Sequence, residues 1–204
     1  RFYAAFGAGG VIYLTSLIFN NIGLSATVIG LGFTMSAIIG TLTRFFTGNY
    51  LNKTGKIQLP LVTSSILSII ASLFLICSRD TFLYVIGQSF VGAAAGIYWP
   101  AAEFGVPYFC HPIDTRKAYS LVRSSEALGI FLGVFLGGFL TNFLYSKSIF
   151  INDIFCMFMI TYLISKNNFS ITRNLENFQE KFVGRTNNGQ SKCCLLYTSP
   201  SPRD

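Results

Sequence analysis

Arg123 and Glu126 stand three residues apart near the head of an otherwise apolar run, "SLVRSSEALGIFLGVFLGGFL", Ser120 to Leu140. On a helix that spacing puts both side chains on one face, where they can pair. A run this long and apolar is of membrane-crossing grade, and a lone charge at a bilayer centre costs at least ~2.5–3.5 kcal/mol. The two ions are therefore expected to face each other, the interior of a helix bundle or a wet cavity. Two chemistries are open. One is a structural ion pair near the helix end, with Arg123 reaching toward the interface along its aliphatic stem. The other is transfer chemistry, in which Glu126 takes up and releases a proton or a cation while Arg123 tunes it or holds an anionic group of a bound solute. Glu103, four residues after Trp99, is the next candidate for the same cavity, and Tyr13 and Trp99 are aromatic residues that could line it.

Other chemistries find no residues to carry them. A hydrolase needs a nucleophile with a base, and the sole histidine, His111, sits beside Pro112 in a short polar connection. The chain holds neither an HExxH zinc motif nor a GxxxxGK[ST] phosphate loop. Cys77, Cys110 and Cys156 are dispersed and lack the C-x-x-C spacing of a metal or disulfide framework. No enzyme activity, metal or cofactor is expected. Asp153 reads as an outer-interface residue, and Asn20 and Asn21 as the solvent-facing close of the first hydrophobic segment.

The elements that must position these residues follow from composition. Of the 204 residues 51% are hydrophobic and 11% charged, whereas soluble domains carry roughly a quarter charged residues. The apolar residues gather into six spans expected at Phe2–Phe19, Ala26–Thr47, Leu59–Cys77, Phe82–Phe109, Ala118–Leu144 and Ile149–Ser165. The chain reads as an all-α integral membrane protein whose partner is the lipid bilayer. With the N-terminus cytoplasmic, ten basic residues (Arg1, Lys53, Lys56, Arg116, Lys117, Lys166, Arg173, Lys181, Arg185, Lys192) fall inside and two (Arg79, Lys147) outside. That asymmetry obeys the positive-inside rule, so the net charge of +7 needs no nucleic acid to explain it. Residues 1–165 form the helical unit. Residues 166–193 begin a polar cytoplasmic loop, with an amphipathic stretch at Leu175–Val183. The last eleven residues, "CLLYTSPSPRD", resemble a translated sequencing-library adapter and are expected to be non-native.

Three stretches resemble the major facilitator superfamily of transporters. In "GNYLNKTGKIQL", Gly48, Lys53, Gly55 and Lys56 match the G-x-x-x-D-(R/K)-x-G-(R/K) loop between the second and third helices, with Asn52 in the place of Asp and Arg44 one turn upstream. The resemblance implies a gating turn bracketed by the two glycines. In "QSFVGAAAGIYWPAAE", Gly92, Gly96, Trp99 and Pro100 match the fourth-helix pattern, with Gln88 where the family carries Arg. The implied role of Gln88 is in the substrate or ion cavity. In "LGIFLGVFLGG", Gly129, Gly133, Gly137 and Gly138 resemble the fifth-helix glycine pattern, with Val134 in the place of Pro. Glycines four apart also clear a helix face for close approach by another backbone, so these residues and Gly92, Gly96 and Pro100 are expected to serve packing or hinge motion.

The resemblance implies half of a twelve-helix transporter, six helices as two inverted three-helix repeats, with the partner half absent from this fragment. The implied function is secondary active transport of a small solute by alternating access, coupled to protons, in the plasma (inner) membrane. The alternative is a membrane sensor or scaffold that uses the same fold without moving a solute.

Overall fold

The computed structural model describes residues 1–109, 114–143 and 147–166. Within them lie α1 (Phe2–Asn21), α2 (Ala26–Thr54), α3 (Gln58–Cys77), α4 (Thr81–Phe109), α5 (Thr115–Phe143) and α6 (Ser148–Lys166). All six are long and apolar enough to cross a membrane. The shortest, α6 with 19 residues, spans about 28 Å at 1.5 Å per residue. His111, Cys110, Pro112, the expected fifth-span end at Leu144, the stretch Leu175–Val183 and the segments beyond Lys166 lie outside the described residues.

Local chemistry sets the turns. Gly23 takes φ 101°, a conformation that side chains resist. Its neighbour Leu24 donates its N–H to Phe19 O at 3.0 Å. Ser25 then caps α2, its hydroxyl accepting from the Val28 N–H at 3.4 Å. At the other end of α2, Gly55 adopts φ 64° and donates its N–H to Leu51 O at 2.8 Å, a left-handed close that suits glycine. Pro60 falls in the first turn of α3, where a missing N–H costs little. Within the spans, Thr34, Thr41 and Thr47 donate their hydroxyls to carbonyls one turn back, which satisfies polar groups that lipid cannot.

One boundary differs in a way that matters. The second span was expected to stop at Thr47, with Gly48 opening the gating turn; α2 instead continues through Gly48, Asn52 and Lys53 to Thr54. Only Gly55, Lys56 and Ile57 separate it from α3. A mid-helix glycine costs about 1 kcal/mol, and tertiary packing outweighs it here. Leu51 and Ile57 are buried against Ala101, with Leu61 and Phe104 around them, and only a continued helix brings Leu51 there.

Packing repeats between the two halves of the bundle. α4 is gripped by α2 and α3, while α1 is gripped by α5 and α6, and α3 meets α6 between them. Exchanging helices one to three with four to six reproduces the pattern, as two three-helix repeats require. At the end where α1, α3 and α5 finish, the Phe19 ring packs at a tilt against Tyr84 and Phe150, with ring centroids 4.6 and 6.2 Å apart. Tyr84 donates its hydroxyl to Ile29 O at 3.3 Å. Lys147 is buried over the Phe19 ring and donates to Ile76 O and Ser78 O at 2.8 and 2.5 Å, closing the end of α3. α2 and α5 turn large side chains outward, among them Phe45, Phe46, Phe131, Phe135 and Phe143.

Candidate functional site: a charged cleft between three helices

The apolar bundle opens onto charge between α2, α4 and α5. A cleft of about 530 Å³ is lined by Arg44 and Gly48 of α2, Trp99, Pro100 and Glu103 of α4, and Arg123 and Glu126 of α5. Arg44 lies ten residues before the end of α2, and Trp99 ten before the end of α4. Glu126 lies eleven after the start of α5. At 1.5 Å per residue these sit at similar depths, about 15 Å along their helices from the end that carries the α2–α3 turn.

Arg123 holds the two carboxylates together. Its Nη2 donates to Glu103 Oε1 at 2.5 Å, and its Nη1 to Glu126 Oε1 and Oε2 at 3.3 and 3.2 Å. The intrahelical pair anticipated at i, i+3 is thus present, and it extends across to α4. Arg1 approaches from the head of α1, with Nε 3.3 Å from Glu126 Oε2, Nη2 3.6 Å from Glu103 Oε1, and its guanidinium 5.1 Å above the Trp99 ring. None of the three guanidinium nitrogens of Arg1 has a hydrogen-bond partner, so charge and ring contact hold the group rather than directed bonds. Water access is uneven: 56% of the Arg123 side chain and 44% of Glu103 are exposed, against 12% of Glu126 and 8% of Arg1. The lining itself balances, Arg44 and Arg123 against Glu103 and Glu126, and Arg1 beside it adds one positive charge; among the described residues Arg44 has no ion-pair partner. Such a cleft can attract an anion, and its carboxylates can exchange partners.

The family model described as Major Facilitator Superfamily matches residues 1–181. The chain belongs to the major facilitator superfamily. It is therefore a membrane transporter by family, and its six apolar helices fit the N-terminal half of that fold. No curated protein and no solved structure matches it.

In this transporter the remaining sequence candidates fall into distinct places. Trp99 lines the cleft and also a smaller central cavity. Tyr13 does not line it; the side chain is exposed on α1. Gln88 is buried outside the cleft. Asn52, Lys53, Gly55 and Lys56 lie beyond the cleft at the end of α2, where Lys53 complements the helix dipole. The glycines separate by contact. A Cβ on Gly92 or Gly96 would collide with Ser36 O or with Thr43 Oγ1 and Gly40 O of α2, and one on Gly129 would stand 2.7 Å from Phe2 O of α1. Gly133 is closed off in the same way by Phe6 O, and Gly137 by Leu14 at 3.0 Å. Gly138 and Gly48 face open space. Apolar helices in lipid gain little from the hydrophobic effect and associate by close packing, so the occupied glycines hold α2 to α4 and α5 to α1.

Two polar residues were missed or misplaced by sequence reasoning. Arg1 entered only as a cytoplasmic charge. Asp153, expected at the outer interface, is 2% exposed within the bundle. Ser72 and Ser68 of α3 donate their hydroxyls to its Oδ2 at 2.7 and 3.1 Å. Its Oδ1 has no hydrogen-bond partner and lies 2.8 Å from where a Gly7 side chain would begin. The Asp153 carboxylate shares a cavity of about 60 Å³ with Ser64, Ser68, Tyr98 and Trp99. Taking a carboxylate out of water costs several kcal/mol, and two hydroxyl bonds to an ion return about 1.5–3 kcal/mol each. The signal was present in α3: Ser64, Ser68 and Ser72 recur every four residues, a polar stripe that needs a polar partner inside the bundle.

Proposed function

We propose that the chain is the N-terminal half of a secondary active transporter that moves a small, anion-bearing solute by alternating access, coupled to protons. One observation carries this reading: Arg123 bridges carboxylates on two different helices in a cleft to whose charge-balanced lining Arg1 adds a further guanidinium. Protonation of Glu126 removes one of the negative charges facing Arg123 and Arg1. Those guanidiniums then turn to a solute anion, and deprotonation restores the original pairing. Arg44, without an ion partner among the described residues, supplies a further contact to the anion. A second six-helix half closes the cleft from the side of α2 and α5. The basic residues argue for a cytoplasmic N-terminus, which puts the cleft near the inner face of the plasma (inner) membrane.

The test is flux through the reconstituted full-length protein in liposomes under an imposed pH gradient, screened against small organic anions. Glu126→Gln is expected to abolish pH-driven uptake while insertion and monodispersity persist. Unchanged proton-coupled flux in that variant would reject Glu126 as the carrier. A full-length protein that moves no solute under any gradient would support the sensor or scaffold alternative instead.

A further inference from the structure

We propose that Asp153, with Ser68 and Ser72, forms a second proton-binding site that serves the small central cavity and is separate from the charged cleft. The two oxygens of the carboxylate are bonded unequally. Both serine hydroxyls donate to Oδ2, while Oδ1 is buried without any donor. Among the described residues no lysine or arginine forms an ion pair with it. An ionised carboxylate would therefore stand buried with half its accepting capacity unmet and no countercharge, which favours the neutral acid. Adding the proton to Oδ1 leaves both serine bonds to Oδ2 intact.

The surroundings fit exchange of that proton. α3 brings no titratable group to the site, only its serines, and α1 brings Gly7 and alanines. α6 itself adds Cys156, whose Cβ also faces Gly7, and α4 adds Tyr98 across the cavity. Of the charged residues of α5, Arg123 and Glu126 line the other cleft, and Arg116 and Lys117 lie in the first turn of the helix. The cavity of about 60 Å³ has room for a few waters, since ~10–15 Å³ of such space admits one. Asp153, Ser64, Ser68 and Tyr98 supply their partners. A released proton leaves Oδ1 as the bare carboxylate and passes to that water. Trp99, which lines both cavity and cleft, is the wall between the two sites. A hard cation fits less well, since Asp153 is the one charged residue in a lining made mostly of apolar side chains, whereas such ions take about six or more oxygen ligands.

The consequence for transport rests on the proposed function, but the protonation itself does not, and the experiment separates them. Infrared difference spectra of the full-length protein in lipid nanodiscs, taken between neutral and alkaline pH without added sodium, should show a protonated-carboxyl C=O band. It is expected to vanish in Asp153→Asn, to shift in Ser72→Ala and to persist in Glu126→Gln. Should Asp153→Asn fail to fold, the shift in Ser72→Ala alone decides. A spectrum without that band at neutral pH, a band indifferent to Asp153→Asn and Ser72→Ala, or a band that sodium abolishes at constant pH would overturn the proposal. In liposomes, Asp153→Asn should lose proton-driven uptake yet keep solute counterflow. Absence of all flux in the wild type would sink the transporter reading and leave the infrared result standing.

Discussion

Glu126 keeps 12% of its side chain exposed and Arg123 keeps 56%, so one ion pair means different things to its two members. Exposed pairs are worth about 0–1 kcal/mol because water and salt screen them, and Arg123→Ala should destabilise the folded protein by no more than that. Glu126→Ala should cost more, about 1–3 kcal/mol, since it leaves the buried Arg1 guanidinium short of an acceptor charge. Thermal or denaturant unfolding in mild detergent would measure both, and equal losses would contradict the burial-based ranking. Arg123→Lys is not a conservative change here. A single ammonium cannot present two nitrogens to Glu103 and Glu126 as the guanidinium fork does, so any flux that depends on the bridge should fall in that variant too.

Helix against helix, the decisive residues are those with the least side chain. Alanine at Gly92, Gly96 or Gly133 places a methyl against a carbonyl of the neighbouring helix, an overpacking that typically costs about 1–3 kcal/mol. Alanine at Gly48 or Gly138 meets nothing within 4 Å and should be neutral or stabilising by up to about 1 kcal/mol, because it removes backbone freedom from the unfolded chain. Unfolding midpoints of the five variants should fall into these two groups, and a Gly48→Ala as damaging as Gly92→Ala would argue against the observed α2. Lys147 acts on the same scale. It bonds the last carbonyls of α3, and Lys147→Met should lower stability by about 1–3 kcal/mol through the acceptors it strands.

The whole molecule is a bundle with two unlike ends and two sparsely covered helices. α2 and α5 carry most of the outward phenylalanines, which suits contact with lipid or a second helical half. The turn ends also differ in charge, with Lys53 and Lys56 beside the α2–α3 turn. Cys77 is exposed at the opposite end of α3. A membrane-impermeant thiol reagent should modify Cys77 from outside intact cells, and a cysteine placed by Lys56→Cys only after permeabilisation. Labelling of both from one side would refute the six-span topology.

Span number, span order and the intrahelical Arg123–Glu126 pair were legible in the sequence because each depends on local information: run length, spacing of 3.6 residues per turn and loop charge. Even the glycine faces could be read, since spacing alone tells which positions share a side. What one residue meets on another helix could not be. Gly92 and Gly138 are the same residue type in similar patterns, yet only one lies against a backbone. The end of α2 was set by the burial of Leu51 against residues fifty positions away, and the bridge from Arg123 to Glu103 needed α4 and α5 side by side. Asp153 makes the point most sharply: its position near the start of a span suggested water, and the serines of α3 decided otherwise. Sequence fixes which groups a helix presents along its length; the electrostatic environment of each belongs to the helices that close around it.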